Sequence, residues 1–133
     1  MLAHLKSIAI VGLGGGIGAM LRVIVTLTLP EIAAPIPLKI IIVNIAGCFV
    51  MGFLAKGIGL YWSLPAPFQT FLTTGILGGF TTFSAFSLEF GLLVEKHQPV
   101  SAAFYLTATL VGTIGAFFLG MAICSYFNSV VFG

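Results

Sequence analysis

The sequence contains no aspartate, three glutamates and only five lysines and arginines among 133 residues, so charged residues make up 6% of the chain. A water-facing domain carries about 25% charged residues, because its surface must be solvated. Eight charges cannot coat a globule of this length. A formal net charge of +2 spread over scattered basic residues also gives no phosphate-holding patch. The scarcity excludes a soluble domain, a disordered chain and a nucleic-acid binder. The lack of aspartate removes the acid of an Asp-based catalytic triad. Cysteine is scarce too. Cys48 and Cys124 both sit in apolar runs and read as small buried hydrophobes rather than a disulfide or metal site.

What is abundant is apolar length. Hydrophobic residues make up 59% of the chain and mean hydropathy is +1.22. A membrane-spanning helix takes about 20 apolar residues. Four such runs are present, about 8–29, 38–60, 68–94 and 101–127, so residues 1–133 read as one all-α membrane domain of four spans. The first run is too long for a secretory h-region and reads as a retained span. The breaks are Pro30–Pro37, the aromatic Tyr61–Pro67 and the polar Glu95–Pro99. Strand alternation is absent.

Basic residues barely distinguish the two sides of such a layout. Lys6 and Lys56 fall on the side of the termini, and Arg22, Lys39 and Lys96 on the other. Orientation in a membrane follows an excess of Lys and Arg on one side. A near-balance allows insertion both ways, with copies pairing antiparallel. Small residues recur at four-residue spacing at Gly12/Gly16, Gly14/Gly18 and Gly112/Ala116/Gly120, a pattern that lets helices approach closely. Gly14, Gly16 and Ala19 also mimic a dinucleotide-binding loop, but no βαβ unit can follow them. His97 beside Glu95 has no nucleophile near it and reads as a solvated loop residue.

Polar groups inside an apolar span are costly and mark function by default. Asn44 interrupts the second run. Arg22 closes the first, where it either snorkels or holds positive potential at a pore mouth. Glu89, in the third run, pairs with Lys96, faces a wet cavity, or does both. The segment Gly75-Ile76-Leu77-Gly78-Gly79-Phe80-Thr81-Thr82-Phe83-Ser84-Ala85-Phe86 carries helix-weakening glycines, so a mid-span unwinding is expected there. Phe80, Phe83 and Phe86 are three apart, as on one helical face, with Thr82 and Ser84 beside them. Tyr105, Thr109 and Thr113 repeat at four-residue spacing in the last run. Donors with almost no carboxylates suit an anion, as do the positive edges of phenyl rings.

These motifs resemble the Fluc (CrcB-type) fluoride channel family. The carrying residues are Gly15-Gly16-Ile17-Gly18-Ala19-Met20-Leu21-Arg22, Val43-Asn44-Ile45-Ala46-Gly47-Cys48-Phe49 and the Gly75–Phe86 segment, in the family's order. The departures are Val23, Lys39-Ile40 and Ala85, and they concern the vestibule more than the pore. The resemblance implies an antiparallel, dual-topology homodimer in the inner membrane of a prokaryote, with a third helix broken mid-membrane and two narrow fluoride pores. It implies a structural Na⁺ at the dimer centre, held by backbone carbonyls of Gly78 and Thr81. It implies that Asn44, Phe83, Phe86, Tyr105, Thr109 and Thr113 line the fluoride path; the hydroxyls of Thr82 and Ser84 read as donors on the same path, and Arg22 and Glu89 as vestibule charges. Such a protein is a passive channel, not an enzyme, and protects against fluoride toxicity. A small multidrug or cation transporter of dual topology is the first rival. It needs a membrane-embedded acid, usually in the first span, and that span has none. A purely structural membrane subunit, the second rival, has no use for Asn44, the Gly-rich segment and the hydroxyl stripe together.

Overall fold

Every backbone N–H and C=O at membrane depth must find a partner inside the protein, and helices provide one for nearly all of them. In a computed structural model, residues 1–132 are described, and no strand occurs among them. The elements are α1 (Leu2–Thr28), α2 (Leu38–Leu60), α3 (Ala66–Thr70), a π-helix (Phe71–Leu77), α4 (Gly78–Phe80), α5 (Phe83–Glu95) and α6 (Pro99–Phe132). They supply four stretches long and apolar enough to cross a membrane: His4–Thr28, Leu38–Leu60, Ala66–Glu95 and Pro99–Val131. The 23 residues of α2 rise roughly 35 Å, against about 30 Å of hydrocarbon. The third and fourth helical stretches begin earlier than the apolar runs. Pro67 lies in the first turn of α3, and α6 starts at Pro99, where a missing N–H costs nothing.

Packing divides the chain into two pairs. The first joins α1 to the π-helix and α4, and the second joins α2 to α6. Both rely on glycine. A Cβ on Gly18 would strike the Ile76 carbonyl oxygen, and one on Gly79 would strike that of Gly15. In the second pair Gly52 meets the Phe117 carbonyl and Gly120 meets that of Phe49. Gly14 and Gly18 are therefore the packed stripe of α1, whereas Gly12 and Gly16 are exposed, with nothing within 4 Å of an added Cβ. Ile41, Phe86, Leu93, Ala102 and Tyr105 form the buried cluster where α2, α5 and α6 meet. The outer faces stay apolar, with Leu13 69% and Phe104 61% exposed, the reverse of a water-soluble surface.

The Gly-rich segment behaves differently from the sequence expectation in one respect. Its glycines remain helical and are used for close approach to α1. The residues that leave helical geometry are Thr81 (φ −77°, ψ 153°) and Thr82 (φ −150°, ψ 114°), both extended.

Candidate functional site

Asn44 explains how an extended pair of residues is tolerated in apolar surroundings. Its Oδ1 accepts from Thr82 N–H at 2.8 Å, and its Nδ2 donates to the Thr82 carbonyl at 3.1 Å. Both atoms of one amide thus brace both backbone groups of one residue. Asn44 and Thr82 are 6% and 7% exposed, so unbraced groups there would be expensive. Thr82 Oγ1 then caps α5, accepting from Ala85 N–H at 3.1 Å, and lies 3.1 Å from Ser84 Oγ.

This bracing has a consequence for two carbonyls. In a continuing α-helix, Thr82 N–H would donate to Gly78 and Ala85 N–H to Thr81. Both donors are diverted, one to Asn44 and the other to Thr82 Oγ1. The carbonyl oxygens of Gly78 and Thr81 are thereby released from helical bonding, and Gly78 is exposed on the single chain. Two freed carbonyls are the donor set a hard monovalent cation accepts, so these residues fit the expected ion chemically.

Asn44, Cys48, Thr82, Phe83, Phe86, Thr109 and Thr113 come together with Thr81 and Leu110 around a cavity of about 190 Å³. Phe83 and Phe86 have ring centroids 5.2 Å apart at 45°. Phe86 is 5% exposed and Phe83 is 74% exposed on the single chain. Tyr105 does not line the cavity, but its ring lies 5.2 Å from that of Phe86. Tyr105 Oη and Thr109 Oγ1 are buried without a hydrogen-bond partner. Both keep a proton to give. Asn44 keeps one as well, since its Nδ2 carries two N–H groups and spends one on Thr82. Thr113 differs: its hydroxyl donates to the Thr109 carbonyl at 2.7 Å, so it turns lone pairs, not a proton, to the cavity.

A larger cavity, about 620 Å³, opens at the end of the bundle formed by the α1–α2 connection and the α5–α6 turn. Glu31, Lys39, Glu89 and Lys96 all line it. The ion pair there joins Lys39 Nζ to Glu31 Oε1 at 2.6 Å. Glu89 faces this cavity and makes no ion pair with Lys96. Arg22 is half-buried on α1 and lines neither cavity.

Two further departures from the sequence reading stand out. Phe80 does not continue the phenyl face of Phe83 and Phe86, because the extended Thr81–Thr82 step resets the helical phase; its ring packs on Gly47 instead. Cys48, read as a packing residue, lines the small cavity. Its signal was the spacing: it stands one turn beyond Asn44 on the same face of α2.

Residues 9–121 match the family model described as CrcB-like protein, Camphor Resistance (CrcB). A protein of Rhodospirillum centenum named "Fluoride-specific ion channel FluC" is 41% identical over 121 residues, covering 90% of this chain and 95% of the relative. Proteins of the same name from Granulibacter bethesdensis and Agrobacterium fabrum are 42% and 40% identical, each over 88% of this chain and 93% and 94% of the relative.

Proposed function

The chain belongs to the CrcB-like family, and on that premise we propose that its small cavity is a station on a fluoride path across the membrane. The protein is a passive, fluoride-specific ion channel and not an enzyme. The observation that carries this reading is the set of unspent donors: Thr109 Oγ1 and Tyr105 Oη without partners, and the second N–H of Asn44, gathered at or beside phenyl rings. Fluoride is small and tightly hydrated, so a selective pore must replace its water with closely placed donors. Hydroxyl, amide and ring-edge hydrogens do so without a fixed cation to trap the ion. No lysine or arginine lines this cavity.

The physiological setting follows from acid chemistry. Fluoride enters acid-stressed cells as HF, ionises at neutral pH and leaves down its gradient through the channel, in the plasma membrane of a prokaryote. We further propose that the working unit is an antiparallel homodimer. The near-balanced basic count supports it, as does Phe83, a ring of the path left 74% exposed on one chain. The Thr81–Thr82 interruption then sits mid-membrane at the dimer centre. Carbonyls of Gly78 and Thr81 would hold Na⁺ there, which would offset two crossing backbones and raise the local potential for anions. Arg22, Glu89 and the larger cavity belong to the vestibule.

The deciding experiment is a fluoride-electrode efflux assay on purified protein in liposomes. Fluoride release with chloride retained supports the channel. Retention of both ions, or release of both, overturns it. The same liposomes test the cation: exhaustive exchange of Na⁺ for N-methylglucamine should weaken flux or dimer stability, and unchanged behaviour removes the Na⁺ site. Lysines added to one loop should force one orientation and abolish flux unless an oppositely biased copy is co-expressed. Full flux from a single forced orientation removes the antiparallel dimer.

A further inference from the structure

Asn44 and Cys48 stand one turn apart on α2, and both line the small cavity. The face that presents the amide therefore presents the thiol next. Cys48 is free and half-buried. The other cysteine, Cys124, is also free but has no exposed surface. Asn128 Nδ2 covers it, 3.0 Å from its carbonyl oxygen and 3.7 Å from its Sγ. One chain thus holds a cavity-facing thiol and an enclosed one.

The space in front of Cys48 is not a packing void. Thr109 lines the same walls at 6% exposure, and its hydroxyl has no partner. An unpaired buried hydroxyl is costly unless something polar comes to it, so a polar occupant would be favoured in this space. We propose that Cys48 is a covalent modification site in the wall of the ion path, open to small uncharged thiol reagents. One methylthio group added there closes the path to fluoride. The second half rests on the channel reading; the first, selective reaction of Cys48, rests on the cavity alone.

The chemistry is simple thiol exchange with a thiosulfonate. The deprotonated Cys48 sulfur attacks the sulfenyl sulfur of methyl methanethiosulfonate. A Sγ–S bond forms, the S–SO₂ bond breaks, methanesulfinate leaves with the electron pair, and the thiol proton passes to water. The product replaces an S–H, itself a weak donor, with a methyl group that donates nothing. A cavity of about 190 Å³ loses space and wall polarity together, and an ion stripped of water does not tolerate an apolar wall.

The test uses the full chain in liposomes, treated with methyl methanethiosulfonate and followed by mass spectrometry and fluoride-electrode efflux. The expected result is methylthio addition at Cys48 and none at Cys124. Fluoride efflux falls roughly tenfold or more and is restored by dithiothreitol. Cys48→Ser has no thiol and keeps a hydroxyl in the wall, so its efflux should be the same before and after the reagent, and Cys124→Ala should respond as the parent does. Modified Cys48 with unchanged efflux overturns the block. Failure to label Cys48, under conditions that label it in the unfolded chain, overturns the site. If untreated liposomes release no fluoride, the channel reading falls, while selective labelling of Cys48 over Cys124 still decides whether the thiol faces an open cavity.

Discussion

The α2–α6 pair behaves as two interfaces laid end to end. Contacts advance together along both helices, since Ile45 meets Gly112 and Gly52 meets Phe117, so spans two and four run in the same direction. Around Gly52 and Gly120 the two backbones touch, glycine against carbonyl. One to two turns away, around Asn44, Cys48, Thr109 and Thr113, the same helices leave a cavity and an unpaired hydroxyl. The rod geometry is shared; only the side chains differ. Glycine removes the spacer and gives a dry seam, held by close packing where lipid offers no hydrophobic drive. Where amide, thiol and hydroxyl groups replace glycine, a cavity and an unspent hydroxyl remain. Rigidity and chemistry are thus divided along one helix pair, and the seam keeps the open half in place.

Breaking the dry half should have the largest effect. Gly52→Leu drives a branched side chain into the Phe117 carbonyl. Overpacking of a core costs about 1–3 kcal/mol and more where backbone must move, so folded, assembled protein should be largely lost. Gly59→Leu is the control, because nothing lies within 4 Å of a Cβ there. Yield and monodispersity in size-exclusion chromatography measure the difference, and equal behaviour of the two variants would remove the seam from the argument.

Next comes the brace within the open half. Asn44→Ala strands the N–H and C=O of Thr82, at about 1–3 kcal/mol for each unsatisfied group. Stability and fluoride flux should fall together. Asn44→Asp keeps an acceptor for Thr82 N–H but loses the donor and adds negative charge to the path. It should unfold less readily than Asn44→Ala in thermal denaturation while conducting no better. A conducting Asn44→Asp would separate this residue from the ion path.

The aromatic pair sharpens the open half. Phe86 is 5% exposed and Phe83 is 74% exposed. Phe86→Ile should therefore cost about 1–2 kcal/mol of stability, whereas Phe83→Ile should cost the single chain little. Flux should drop in both, because isoleucine keeps apolar volume but has no electropositive ring edge. Phe80→Ile, outside the cavity lining, should be milder. Normal efflux in folded Phe83→Ile and Phe86→Ile would show that the rings only pack.

The dry half and the open half differed in how far the sequence revealed them. Four spans were legible because hydropathy and length alone determine them. The polar residues were legible because each is expensive in an apolar run; of the eight residues named for the ion path, six line the small cavity, and Ser84 and Tyr105 stand outside its lining. Facing was less legible. Four-residue spacing identifies a stripe but not its neighbour, so Gly12/Gly16 and Gly14/Gly18 look alike until α1 meets the third stretch. The helix exit fell on Thr81–Thr82 rather than the glycines, because the partner that captures Thr82 sits 38 residues earlier, at Asn44. That same exit broke the phase assumed for Phe80. Cys48 was hidden by its apolar neighbours, although its register with Asn44 was in plain view.

The smallest expected effect separates two threonines one turn apart on α6. Thr109 carries an unpaired buried hydroxyl, and Thr113 spends its proton on the Thr109 carbonyl at 2.7 Å. Thr109→Val keeps the branched shape and deletes a hydroxyl that nothing in the chain satisfies. Removing an unsatisfied buried group stabilises or is neutral, within about 1 kcal/mol. The same change takes one donor from the path. A donor worth about 1 kcal/mol corresponds to roughly a fivefold change in fluoride occupancy. Stability should thus hold or rise while flux falls, which is the open half turning into the dry one. Thr113→Val removes no free proton and should leave flux within about twofold of the parent. Paired thermal-unfolding and fluoride-efflux measurements on both variants read the contrast directly. If Thr109→Val lost stability and kept its flux, its hydroxyl would be serving the fold, and the donor track along α6 would be lost.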